Sequence, residues 1–138
     1  MPSTIRKVSY AYLTATSRPG EAARVLEALR DANVNLLAFS GFPQGRNKAQ
    51  IDLVTDDLEG AKAVARRHKW KLSRVKRAFL VQGTDESGAA IGPLARLGAA
   101  GINVIAADAI TAGEGRFGMS FWVEPRSYNR TAKLLDAA

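Results

Sequence analysis

The chain has 138 residues, 46% of them hydrophobic and 24% charged, the composition of a folded domain and not of a disordered one. It holds no cysteine and one histidine, which excludes a disulfide scaffold, a thiolate zinc site, a cysteine nucleophile and a multi-histidine metal site within one chain. The net charge of +7 is local: eight of the 20 basic residues lie from Lys62 to Arg77, no Asp or Glu falls between Gly60 and Thr84, and the remaining 12 basic residues face 13 acids. No apolar run approaches the roughly 20 residues of a membrane span, and the opening stretch from Met1 to Leu13 lacks a secretion-signal pattern. These features predict a soluble, cytoplasmic protein with no membrane attachment, metal or cofactor.

In chain order, Lys7 to Thr16 reads as a strand, with Val8, Tyr10 and Tyr12 on one face and Ala11 and Leu13 on the other. Apolar residues on both faces predict a strand covered on both sides. Ser17-Arg18-Pro19-Gly20 breaks it and opens a helix, with Pro19 suited to a first turn. Ala22, Val25, Leu26 and Leu29 fall at helical spacing, and Asn33 stops the run. Val34 to Phe42 reads as a second strand, Pro43-Gln44-Gly45 as a turn and Lys48 to Thr55 as a third strand. Asp56 or Asp57 then caps a second helix with Leu58, Ala61, Val64, Ala65 and His68 on one face. Its acidic start and Arg66/Arg67 end both complement the helix dipole.

Trp70 to Gly83 must close this first set of elements and open a second. Trp70 and Leu72 lie in one alternation phase and Val75, Phe79 and Val81 in the other, which predicts a bulge or bend near Ser73 to Lys76. A turn at Asp85 to Gly88 leads to a helix with Ile91, Leu94 and Leu97, which Pro93 forces to begin late or bend. A strand from Ile102 to Thr111, a turn at Gly113 and Gly115, and a strand from Arg116 to Glu124 follow. The last helix comes after Pro125, with Tyr128, Ala132 and Leu135 inward.

The two sets of elements are copies. Gly20 and Gly88, Leu26 and Leu94, Leu29 and Leu97, and Ala32 and Ala100 are each 68 residues apart. Val34-Asn35-Leu36-Leu37-Ala38 aligns with Ile102-Asn103-Val104-Ile105-Ala106 at the same offset, as do Ile51, Leu53 and Val54 with Met119, Phe121 and Trp122. The expected fold is α+β: two ferredoxin-like βαββαβ modules, residues 1–76 and 77–138, each an antiparallel sheet with helices on one face. The second module ends without room for its last strand. Modules this small should bury their exposed edges against each other, and homodimerisation would complete that burial.

Ser17-Arg18-Pro19-Gly20 opening a helix, with Ala32-Asn33-Val34-Asn35-Leu36 entering a strand, resembles the ACT domain, a small regulatory module that senses amino acids and related ligands. Asp85-Glu86-Ser87-Gly88 with Ala99-Ala100-Gly101-Ile102-Asn103-Val104 resembles it more closely still. The resemblance covers the whole chain as two tandem modules with no catalytic domain. It implies a non-catalytic sensor that binds an amino acid or similar small molecule at a module interface, through the first β–α turn and the asparagine region. Carried over by position, the binding residues are Ser17, Arg18, Pro19, Gly20 and Asn35 in copy one, with Asp85, Gly88 and Asn103 in copy two. The residue chemistry fits on its own terms. Glycine lets a ligand approach the backbone, amides at a helix start favour a carboxylate, and a side-chain amide both donates and accepts. Arg18 is replaced by Glu86 in copy two, so the two sites differ in charge preference.

Catalytic patterns are absent: the chain has no phosphate-cradling glycine loop, nucleophile elbow or histidine-rich zinc motif. The alternative function is RNA or DNA binding through the Lys62–Arg77 segment, because related topologies serve RNA-binding sheets. Arg116-Phe117-Gly118-Met119-Ser120-Phe121 has a distant likeness to the basic–aromatic strand of those sheets, but Phe121 aligns with the core-type Leu53. A third reading is a purely structural dimerisation module. His68, beside three basic neighbours, is expected to pack or lie at the surface and not to catalyse.

Overall fold

In the computed structural model, which describes residues 3–138, strand β1 (Thr4–Thr16) buries Val8, Tyr10, Ala11 and Leu13, covering both of its faces as their alternation predicts. The chain divides into two compact units. One is Ser9–Lys76, and the other joins residues 3–8 to residues 77–138. The first module expected from residue 1 therefore gives up its opening residues to the other unit, and β1 serves both.

In the unit Ser9–Lys76, the strand order is β2-β3-β1, with β2 (Ala38–Pro43) and β1 both antiparallel to β3 (Lys48–Val54). Helix α1 (Glu21–Asp31) buries Val25 and Leu29, and α2 (Leu58–His68) buries Ala61, Val64 and Ala65. These residues pack with Leu13, Val34, Ile51 and Leu53 into one core. Asp57, one of the two expected caps, accepts a 2.9 Å hydrogen bond from the Gly60 amide at the start of α2. The second strand begins at Ala38 and not at Val34. Residues 34–37 instead carry the chain off the helix: the Val34 amide closes α1 on the Leu29 carbonyl, its side chain is buried, and only the Leu37 amide reaches Val54.

The expected break before β4 (Lys76–Thr84) is present. Leu72 forms a single bridge with Leu13, Ser73 exchanges hydrogen bonds with Tyr12, and the regular strand restarts only at Lys76. In the other unit the order is β1-β4-β6-β5, with β5 (Val104–Gly113) and β4 antiparallel to β6 (Arg116–Val123). The strand that copy two lacks after its last helix thus has its place beside β4 filled by the start of β1. Helix α3 (Ile91–Ala99) starts late, which puts Pro93 in its first turn, where a missing N–H costs nothing. Pro125–Ser127 forms a 3-10 turn into α4 (Tyr128–Leu134). Phe79, Val81, Leu97, Met119, Phe121 and Tyr128 centre the core of this unit. Burial of Phe117 and Phe121 makes their strand a packing element and not a base-stacking face.

The 68-residue offset recurs in the backbone itself. Leu13 faces Ile51 in one pair of strands and Val81 faces Met119 in the other, while Thr16–Lys48 and Thr84–Arg116 close the two ladders in the same register. The Ser17 amide donates to the Asn47 carbonyl (2.9 Å) and the Asp85 amide to Gly115 (2.8 Å). Val34 to Leu29 and Ile102 to Leu97, both 2.9 Å, end α1 and α3 identically, each after a left-handed residue, Asn33 or Gly101.

Tyr10 lies diagonally across the β1–β3 ladder from Asp52. Burial first, then the Asp52 carboxylate and Tyr12, push its phenol up to about 12. An unfolded tyrosine ionises near 10, so the stabilising difference is complete below that pH and is lost as the pH rises towards 12. Tyr128, raised mainly by burial, acts in the same direction. Thermal melts of Tyr10→Phe between pH 9 and 12 should fall less steeply than those of the parent. Equal slopes would show that Tyr10 is not responsible.

Candidate functional site

The first β–α turn is held at both ends. The Ser17 amide bonds to Asn47 in the β2–β3 turn, and the Glu21 amide closes back on the Arg18 carbonyl at 3.3 Å. Gly20 stands at the N-cap of α1 with φ of +85°, where any side chain would be strained although the space around it is open. A glycine cap has no side-chain acceptor, so the first amides of α1 rely on something other than a capping side chain. The positive end of the helix dipole lies there.

This turn forms the rim of a cavity of about 340 Å³. Ser17, Arg18 and Glu21 supply the polar part of its lining, while Ala22 of α1, Phe39, Phe42 and Pro43 of β2 and Ile51 of β3 supply apolar surface. The volume falls within the range of small-molecule pockets. Arg18 Nε lies 2.9 Å from Glu21 Oε2, and Arg24 Nη1 lies 3.7 Å from the same oxygen. The Arg18 side chain is 55% exposed and that of Glu21 15%. An ion pair this exposed contributes at most ~1 kcal/mol, so either partner is readily drawn to a ligand charge. The cavity therefore offers a cation and helix amides for a carboxylate, a carboxylate for an ammonium group, and aromatic surface for an apolar side chain.

Of the residues carried over from the resemblance, Ser17 and Arg18 line this cavity, and Pro19 and Gly20 complete the same turn. Asn35 is exposed in the α1–β2 connection and does not line it; its carbonyl accepts a 2.6 Å bond from Thr55 Oγ1, which ties that connection to the end of β3. In copy two, Asp85 bonds to Gly115 through its amide, Gly88 has φ of +75°, and Asn103 is exposed just before β5. A Cβ on Gly88 would come within 2.8 Å of Ile91 Cδ1. The positions matching Arg18, Glu21, Phe39 and Phe42 are Glu86, Ala89, Ala107 and Ile110, so copy two has neither the ion pair nor the aromatic surface. Sequence reasoning missed Glu21, Phe39 and Phe42. The i, i+3 spacing of Arg18 and Glu21 was a usable signal; the two phenylalanines read as ordinary strand residues.

No family model matches the sequence, and no curated protein does. Solved structures do match. The regulatory subunit of aspartate kinase from Thermus thermophilus, in its ligand-free form, superposes with a TM-score of 0.69 at 11% identity, over 99% of this chain and 95% of that one. The fold is ACT-like. The regulatory subunit of aspartate kinase from Thermus flavus matches this chain with a TM-score of 0.62 at 13% identity, over 98% and 94% of the two chains. Protein BT0572 from Bacteroides thetaiotaomicron has a TM-score of 0.75 at 16% identity, over 97% and 88%. In each comparison this chain is aligned nearly end to end. Among the described residues, no helix is long and apolar enough to cross a membrane.

Proposed function

We propose that this protein is a non-catalytic regulatory sensor built of two ACT-like modules in tandem, and that copy one binds an amino acid or a similar small zwitterion. The observation that carries this reading is the Arg18–Glu21 pair at the start of α1, which has no side-chain cap, lining one cavity together with Phe39 and Phe42. A free amino acid presents the charges that this polar lining would match. Its carboxylate would take Arg18 and the helix amides, and its ammonium group would take Glu21. Copy two, with Glu86 and Ala89 at the corresponding positions, is the weaker site. The fold shared with regulatory subunits of aspartate kinase supports a regulatory role. The protein would act as a homodimer: β2 and β5 are largely exposed, with Phe39, Phe42, Ile105 and Ile110 among the large apolar residues left in water.

A thermal-shift screen of the twenty amino acids at millimolar concentration tests this. A ligand at 100 times its dissociation constant adds ~2.7 kcal/mol of stability, which raises the melting temperature of a chain of this size by several degrees. Arg18→Ala should weaken the same ligand by roughly tenfold or more, the loss expected for a charge-assisted hydrogen bond. A screen without any stabilising amino acid would overturn the reading, as would a hit that Arg18→Ala leaves unchanged.

A further inference from the structure

The local excess of positive charge has no part in the cavity. Arg66, Arg67, Lys69, Lys71 and Arg74 occupy five of nine consecutive positions, from the last turn of α2 onward, and all five are exposed. Their neighbours in the basic run are engaged: Lys62 lies 3.5 Å from Glu59, and Lys76 lies over the Tyr12 ring. The five make no ion pair among the described residues.

The helix dipole does not account for them. It presents about half a charge at the C-terminus and acts only within the last turn. Arg66 and Arg67 satisfy that need, whereas Lys71 and Arg74 lie beyond Lys69, the left-handed residue that ends α2. Between the cations, the exposed His68 ring is stacked on Trp70, with centroids 4.7 Å apart and planes 19° from parallel. Trp70 is half-buried against the core of its unit, and its amide is fixed to the Ala65 carbonyl at 2.8 Å. It is a firm support beneath an exposed flat ring, in a stretch of nine residues that carries five exposed cations.

We infer that this surface, Arg66 to Arg74 with the His68–Trp70 stack, binds single-stranded nucleic acid. Cations alone would suit any polyanion, including an acidic protein. A supported aromatic face among them is what an unpaired base requires. The five cations would neutralise phosphates along the strand, and one base would stack on the outer face of His68.

The test is fluorescence anisotropy with a labelled twenty-residue oligo(dT), from 50 to 200 mM salt, with inorganic polyphosphate and polyglutamate as baseless competitors. Each neutralised phosphate of a single strand contributes about −0.7 to the slope of log affinity against log salt, so the parent should show a slope near −3.5. The triple variant Arg66→Gln, Arg67→Gln, Lys69→Gln should reduce that slope by about 2. His68→Ala should weaken oligo(dT) about tenfold while leaving polyphosphate competition unchanged. Both variants alter exposed residues, and an unchanged melting temperature shows that they fold. Absence of binding at 50 mM salt overturns the proposal. So does an equal effect of His68→Ala on oligo(dT) and polyphosphate, or polyglutamate competing as well as the oligonucleotide, which would point to an acidic protein partner.

Discussion

Replacing Phe79 with alanine is expected to cost about 3–5 kcal/mol, much of the total stability of a domain this size. Phe79 is fully buried at the middle of β4, opposite Phe121 of β6. Its ring stacks on Phe121 at 5.3 Å and on Tyr128 of α4 at 5.0 Å, so it joins the sheet to the last helix. Truncation removes the transfer energy of the ring, opens a cavity and dissolves two aromatic pairs, each contributing about 0.5–1.5 kcal/mol beyond area. Phe79→Leu keeps most of the volume and should cost less than half as much. The chain has two tryptophans, Trp70 in the unit Ser9–Lys76 and Trp122 in the other. Urea unfolding followed by Trp122 in a Trp70→Phe background reports the relevant unit. A loss below 1 kcal/mol for Phe79→Ala would mean that this core is not organised around that ring.

Deletion of residues 1–8 is the second large effect. Val8 is buried, Ile5 packs on the same core as Phe79, and β1 hydrogen-bonds to β4. The Ala138 amide donates to the Ile5 carbonyl (3.0 Å) and the Lys7 amide to the Ala138 carbonyl (2.9 Å). Ser3 lies so close to Gly83 that a Cβ on the glycine would come within 2.8 Å of the serine Cβ. Burial of Val8 alone is worth about 1.5–3 kcal/mol, and each lost ladder bond about 1 kcal/mol. With the two bonds to Ala138, the total is about 3.5–5 kcal/mol. The transition seen by Trp122 should move to much lower urea, whereas that seen by Trp70, in a Trp122→Phe background, should move little. Equal shifts would contradict the assignment of residues 3–8 to the unit of β4.

That double use of β1 was hidden in the sequence for a physical reason. Alternation reports how a strand is buried, and Val8 to Leu13 displays it clearly, but it does not say which neighbour pairs with which end. Ile5 is the lone apolar residue before Val8 in the described part of the strand, too little pattern to extend it. Local signals carried much more. The glycines and asparagines at matched offsets marked the turns, Pro93 set the start of α3, and the phase change after Leu72 marked a real break. For the candidate site, the turn from Ser17 to Gly20 was legible because its composition demands a turn. Phe39 and Phe42 were not, since an apolar residue on an outer strand looks the same in sequence whether it packs inward or borders a cavity. The bond from Thr55 Oγ1 to the Asn35 carbonyl was equally hidden, because a backbone acceptor leaves no mark on residue type.

In the proposed function, copy one binds a small zwitterion at the first turn of α1. Amide chemical-shift mapping on the uniformly 15N-labelled protein, titrated with the strongest amino acid from the thermal screen, tests it most directly. The largest shifts should fall on Ser17, Arg18, Glu21, Ala22 and Phe42, with much smaller ones at Asp85, Gly88 and Ala89. Shifts centred elsewhere in the chain, or spread evenly over both copies, would contradict it.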